Sequence, residues 1–274
     1  YFAFLKISEG CNNRCSYCTI PSIRGPLKSR KVEDIIREAD LLISKGVKEL
    51  IIISQDTTKY GLDLYGEIKI IPLLKKLTDL KGDFHIRLLY LNPDGVSDEL
   101  INFVKDSPKI IKYFEIPIQH ISDKILKLMN RKSDAKLIKE IFCKIRGRLP
   151  GAIVRTTAII GFPKETDEDF EELKSFIKEF KPDFAGFFPF YPEDGVKASK
   201  LEDRPPKHIV KKRLSEIKKI QKQNTIAMLK MAKKGTITCF VDRPNEDFDF
   251  ILEGRAIFQT PEIDGKAYFV KGEA

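Results

Sequence analysis

Gly10-Cys11-Asn12-Asn13-Arg14-Cys15-Ser16-Tyr17-Cys18-Thr19-Ile20-Pro21 holds three of the chain's five cysteines within eight residues, spaced C-x3-C-x2-C with an aromatic before the last. Thiolates this close in sequence usually share a metal or a cluster. Gly10, the Asn pair and Pro21 favour a loop. The same spacing also fits one face of a helix, so a small buried stripe is an alternative. Structural zinc is a second alternative, but it asks for a fourth ligand. The nearest histidine in sequence is His85, and Cys143 and Cys239 are isolated. Three thiolates without a fourth suit a cubane iron–sulfur cluster with one iron open to another ligand.

Outward from this loop the chain alternates. Tyr1–Ser8 reads as a buried strand entering the cysteine loop. Val32, Ile35, Ile36, Ala39, Leu42 and Ile43 recur at helical spacing until Gly46. Leu50–Ile53 is a β-branched run apolar on both sides, as in a central parallel strand. Helical Ile71–Leu77, strand Phe84–Leu91 and helix Ser97–Lys105 follow, with Ser97 as N-cap. Then come strand Tyr113–Pro117, helix Ala135–Arg146, strand Ile153–Gly161 and strand Asp183–Phe190. Between the last two, Phe170, Leu173, Phe176, Ile177 and Phe180 form a helix face opened by Thr166, with Asp169 in the capping-box position. Six strands alternating with helices predict parallel, right-handed βαβ units, as a barrel or an open doubly wound sheet. No Gly-rich phosphate loop follows any strand, which weakens the nucleotide-binding version. Polar residues gather at the strands' C-terminal ends: Cys11, Ser54-Gln55-Asp56, Gln119-His120 and Arg155-Thr156-Thr157. His120 is a candidate for lining a site there.

Pro205-Pro206 introduces a long basic helix from about Lys207 to Lys234, with an apolar stripe of Leu214, Ile217, Ile220, Ala227, Met228 and Met231. After Gly235 the texture is that of short strands: Ile237–Val241, Phe248–Leu252, Arg255–Phe258 and Ala267–Val270. The expected division is therefore 1–205, 206–234 and 235–274, the last being part of a small all-β barrel. Residues 207–234 carry ten Lys/Arg against one acid, whereas residues 235–274 carry eight acids and four bases. With 42% hydrophobic residues, the chain has enough apolar material for a sizeable core. No apolar run approaches a membrane span, and clustered free cysteines suit a reducing interior, so a cytoplasmic setting is expected. The start at Tyr1, without Met, reads as a fragment or a processed chain.

The cysteine loop resembles the signature of the radical S-adenosylmethionine (SAM) enzymes, C-x3-C-x-aromatic-C. The resemblance implies an open six-stranded (β/α) partial TIM barrel and one [4Fe–4S] cluster on Cys11, Cys15 and Cys18. It also implies SAM bound at the open iron and cleaved by an electron from the cluster, hence an electron donor. Further runs resemble the methylthiotransferases of that family: Ile116-Pro117-Ile118-Gln119-His120, Arg155-Thr156-Thr157-Ala158-Ile159-Ile160-Gly161-Phe162-Pro163 and the linker helix. These enzymes end in an OB-like β-barrel called TRAM, of which only the first part is expected here, and carry a second [4Fe–4S] cluster on an N-terminal domain. Within them, Ser54-Gln55-Asp56-Thr57-Thr58-Lys59-Tyr60-Gly61, Pro192-Glu193-Asp194-Gly195 and Thr260-Pro261-Glu262-Ile263-Asp264-Gly265 resemble the RimO type. That type modifies the β-carbon of an aspartate in small-subunit ribosomal protein S twelve.

The MiaB type, which modifies a tRNA adenosine, is the alternative, and a non-catalytic ribosome-binding module with a structural metal is a remote one. The acidic C-terminal segment favours a basic ribosomal protein over tRNA. The basic helix reads as a solvated face, with ribosomal RNA as a second partner. By the resemblance, Tyr17 shields the cluster and lies against the adenine, and Ser54, Gln55, Gln119 and Thr157 are polar contacts to SAM. Arg155 is expected to meet the SAM carboxylate, with a structural pair to Glu115 as the alternative. Cys143 and Cys239 are expected to be structural thiols. Lys164 stands where the family usually has Gly, which leaves the turn after the fifth strand open.

Overall fold

The computed structural model describes residues 1–248 and 251–270. In chain order its elements are β1 (Phe2–Lys6), β2 (Ser8–Glu9), α1 (Ile20–Ile23), β3 (Lys28–Ser29), α2 (Val32–Ser44), β4 (Glu49–Ile53), α3 (Leu62–Tyr65), α4 (Ile70–Thr78), β5 (His85–Leu88) and α5 (Asp98–Asp106). Then follow β6 (Tyr113–Glu115), α6 (Asp123–Leu128), α7 (Ala135–Arg148), β7 (Ile153–Ile160), α8 (Asp167–Phe180), β8 (Phe184–Pro189), α9 (Lys207–Ala232), β9 (Cys239–Pro244), β10 (Leu252–Ala256) and β11 (Ala267–Phe269).

Parallel ladders run β1-β4-β5 and β6-β7-β8. A parallel bridge between Ile86 and Ile110, with Ile111 N–H donating to Ile86 C=O at 2.9 Å, joins the two sheets. β1 and β8 pair with one neighbour each, so the result is an open six-stranded (β/α) partial barrel, as the strand count predicts. The expected helix starts are also present. Ser97 Oγ accepts the Leu100 N–H, and Thr166 and Asp169 close a reciprocal capping box. The six-residue α6 was not expected, being too short to show a period. Lys164 takes the left-handed φ of +67°, so the turn after β7 keeps a conformation that favours Gly.

Strand alternation separates two apolar clusters. Leu50, Ile52, Ile86, Leu88, Phe114 and Val154 pack with the helices in the main core. On the concave face, Ile51, Leu89, Ile111 and Tyr113 form a second cluster, completed by Phe240 and Ile257. These last two belong to the C-terminal segment, an antiparallel sheet of order β11-β10-β9. Buried charges fix it there. Glu49 Oε1 accepts from Arg87 Nε at 2.6 Å, Arg255 pairs with the same carboxylate, and Arg87 Nη2 donates to the Ile257 and Gln259 carbonyls at 2.8 and 3.1 Å.

Two strand expectations change. β10 spans Leu252–Ala256, merging parts of the expected Phe248–Leu252 and Arg255–Phe258 strands; Asp249 and Phe250 lie outside the described residues. The apolar stripe of α9 is shorter than expected. Ile217 is buried and Val210, Leu214 and Ile220 are half-buried, but Ala227 and Met231 are exposed because α9 runs past the surface it packs on. Among the described residues, no helix is long and apolar enough to cross a membrane.

His120 does not line a site: it is fully buried. Its Nδ1 accepts the Ser122 N–H at 3.0 Å, and its Nε2 lies 3.8 Å from Glu165 Oε2. Burial, with help from Arg213 and Lys124 and against Asp169, pushes its pKa down to about 3. The unfolded imidazole binds its proton near pH 6.5 and the folded one does not, so stability falls as pH drops through that window. Glu165, raised by burial, gives an opposite slope that is present in both proteins compared below. Between pH 7 and pH 5 the wild type should lose about 2 kcal/mol more than His120→Gln in urea unfolding. Equal losses would refute the assignment.

Candidate functional site

The cysteine stretch is a loop, not a helix, so the buried-stripe alternative falls. Its entry is set by Gly10, at φ +71°, where a Cβ would meet the Pro26 carbonyl oxygen at 2.1 Å. Only glycine fits there. Cys11 N–H donates to Gly25 C=O at 3.1 Å, and Asn12 Oδ1 accepts the Leu27 N–H at 3.0 Å, closing the loop on the β2–β3 hairpin. The far side is bound to the end of α6. Ser16 N–H donates to Met129 C=O at 3.0 Å, Ser16 Oγ to Leu128 C=O at 2.8 Å, and Asn130 Nδ2 to Arg14 C=O at 2.7 Å. Asp56, just past β4, ties loop and barrel together by accepting from Asn13 Nδ2 at 2.7 Å and Asn92 Nδ2 at 3.2 Å.

All three sulfur-bearing residues line one cavity of about 290 Å³ at the strands' C-terminal ends, the usual place for chemistry in such barrels. Tyr17, Gln55, Gln119 and Thr157 line it too. Ser54 and Arg155 do not. Ser54 Oγ is turned to Thr57 Oγ1 at 3.3 Å. The Arg155 guanidinium is bound to Asp264 and the Tyr113 hydroxyl and stacks on Phe184. The partner expected for Arg155 was the SAM carboxylate or Glu115. Its ion pair is instead with the Thr260–Gly265 run, because the C-terminal segment docks on the concave face.

Further wall residues are Asn13, Tyr90, Asn92, Glu115 and Arg131. Asn13 lies within the cysteine stretch; the others sit singly in loops and at strand ends, and the chain has no period or spacing that marks them. Tyr90 and Gln119 hold left-handed φ of 59° and 68°. Backbone strain of this kind costs roughly 1–3 kcal/mol and gathers at working sites.

Burial pushes the Cys11 and Cys18 thiols up, and the Asn13 N–H, 3.4 Å from Cys11 Sγ, offsets this for Cys11. Burial also raises Glu115, against the Tyr90 N–H and Arg155, and raises the Tyr17 phenol. Two buried polar atoms on lining residues, Gln55 Oε1 and Arg131 Nε, have no hydrogen-bond partner. Such orphans in a cavity wall fit a polar ligand. Three soft thiols and no imidazole fit an iron–sulfur cluster. Among the described residues, no three His, Cys, Asp or Glu side chains converge to hold a single metal ion.

Residues 5–177 match the radical SAM superfamily model, and the chain belongs to that superfamily. The fold agrees. Coproporphyrinogen III oxidase from Escherichia coli, a radical SAM enzyme, superposes with a TM-score of 0.59 at 17% identity, covering 81% of this chain and 52% of that one. A radical SAM methyltransferase from Kitasatospora setae, with cobalamin and a [4Fe–4S] cluster bound, gives 0.56 at 16% identity, covering 69% and 36%. Within the superfamily the chain is similar to ribosomal protein uS12 methylthiotransferase RimO. The Aquifex aeolicus protein of that name is 44% identical over 267 residues, covering 97% of this chain and 62% of the relative. Other proteins of that name are 42–47% identical. The chain spans about 60% of the length of these curated relatives.

Proposed function

We propose that this chain is the radical-generating part of a methylthiotransferase that adds a methylthio group to the β-carbon of an aspartate in ribosomal protein uS12. The observation that carries the reading is the convergence of Cys11, Cys15 and Cys18 on one cavity, in a chain so similar to proteins of that name. The three thiolates would hold a [4Fe–4S] cluster. When bound, such a cluster would supply the electron for reductive cleavage of SAM. The protein's part is position and exclusion of water. Tyr17, packed against the cluster of Ile125 and Met129, would cover the thiols, and Gln55, Gln119 and Thr157, on the same cavity, would offer polar atoms to SAM. A structural zinc gains no support, since zinc needs its sulfurs close around one ion.

The second cluster would lie outside this sequence. The two remaining cysteines are Cys143, exposed on α7, and Cys239, at the start of β9. We divide the chain into a barrel domain (1–205), a linker helix (206–234) and a TRAM-like segment (235–274), working in the reducing cytoplasm. The exposed Lys211, Lys212, Lys218, Lys219 and Lys222 of α9 are where ribosomal RNA would touch it.

The chain alone, reconstituted anaerobically, should yield 5′-deoxyadenosine with dithionite and SAM but no methylthiolated peptide from the uS12 decoding loop. Methylthiolation by this chain unaided would refute the division of labour. Supplied with the rest of the enzyme, turnover on tRNA and none on the uS12 peptide would move the assignment to the tRNA-modifying type.

A further inference from the structure

We propose that Arg131 is a positioning residue that holds a fixed positive charge beside the Cys15 sulfur and so makes the cluster easier to reduce. The inference rests on the reading of the three thiols as cluster ligands. The geometry begins at the end of α6. Asn130 adopts a left-handed φ of 56°, and Arg131 N–H returns to Leu126 C=O at 2.9 Å. The same turn binds the residues on either side of Cys15, through Arg14 C=O and the Ser16 N–H. The segment that carries Arg131 is therefore clamped to the segment that carries Cys15.

The guanidinium is fixed from behind. Its Nη2 donates to Asn92 Oδ1 at 2.9 Å and to Pro117 C=O at 3.0 Å, leaving Nε buried without a partner. Arg131 and Cys15 line both the 290 Å³ cavity and a neighbouring one of about 240 Å³. The groups facing the guanidinium are the Cys15 sulfur, the Tyr17 hydroxyl and Asp94. The Cys11 sulfur has a different neighbourhood, the Asn13 N–H and the Asp56 carboxylate. One ligand thus meets a cation and another an anion.

Reduction by one electron adds one negative charge to the cluster. A cation held close in a poorly screened site stabilises that added charge, and charge and hydrogen bonds at the sulfurs set cluster potentials. The bonds that clamp the cysteine loop come from the main chain and from Ser16 and Asn130, so the guanidinium is not what holds the loop in place.

The test is a redox titration of the reconstituted chain, followed by visible absorbance and electron paramagnetic resonance, for wild type, Arg131→Lys, Arg131→Gln and Arg131→Met. Iron and sulfide are counted in each. We expect the Gln and Met variants to keep the cluster and its spectral shape. At the wild-type midpoint their reduced-to-oxidised ratio should fall about tenfold, or about 59 mV for a one-electron couple. Lysine, which keeps the charge, should hold the midpoint close to that of the wild type. An intact cluster with an unchanged midpoint in both uncharged variants overturns the inference alone. So does loss of iron and sulfide from both, since Arg131 would then act in assembly. A wild-type chain that takes up no iron or sulfide sinks the cluster reading and this inference with it.

Discussion

Cys15→Ala should leave the chain folded but strip it of iron and sulfide and of SAM cleavage. Cys15 is half-buried, with its side chain in the cavity wall rather than in any of the apolar clusters. The bonds that hold its loop come from Gly25, Ser16, Asn130 and Met129, so deleting one sulfur should remove a proposed cluster ligand and little packing. Partners one shell beyond a metal's ligands already cost about 10–100-fold when removed, so loss of a ligand should lower 5′-deoxyadenosine formation by on the order of a hundredfold or more. The control is Cys143→Ser, at an exposed position on α7, which should match wild type in iron, sulfide and turnover. Iron content and SAM cleavage at the wild-type level in Cys15→Ala would sink the cluster assignment.

Glu49→Ala should cost about 3–5 kcal/mol of stability, the usual cost of breaking a buried ion pair from one side. Glu49 and Arg87 are fully buried and Arg255 is 4% exposed. Without the carboxylate, Arg87 keeps the Ile257 and Gln259 carbonyls and the Tyr113 ring but no ionic partner, and Arg255 keeps Asp242 at 3.3 Å. Two guanidiniums would then share a dry site with one carboxylate. Because Glu49 lies on β4 and Arg255 on β10, the loss should appear first as cleavage of residues 235–270 by protease. Glu49→Gln, which keeps an acceptor, should fall between. The comparison is Lys48→Ala, whose exposed pair with Asp83 at 3.1 Å should be worth at most about 1 kcal/mol. Urea unfolding checks the ranking. An Ala variant within 1 kcal/mol of wild type would show that apolar contacts, such as those of Phe240 and Ile257 with the concave-face cluster, hold the C-terminal sheet without the charges.

Most of the barrel was legible along the chain because its signals are local. The two-sided apolar run at Leu50–Ile53, the helix starts at Ser97 and Thr166, and the alternation of strand and helix each reflect burial or capping within a few residues. The short α6 left no such mark, and the apolar stripe of α9 was read too long because periodicity does not say where the supporting surface ends.

What the sequence determined by itself was the partial barrel and the cysteine loop at a strand's C-terminal end; Tyr17, Gln55, Gln119 and Thr157, expected at SAM, share a cavity with those thiols. What only the tertiary structure decided was which charge meets which. Arg155 is bound by Asp264, 109 residues away, and Asn130 reaches Arg14 across 116 residues, bringing Arg131 to Cys15. Burial leaves a periodic trace in the chain because the backbone's own geometry repeats. The choice of an ionic partner leaves none, because it depends on how separate elements dock.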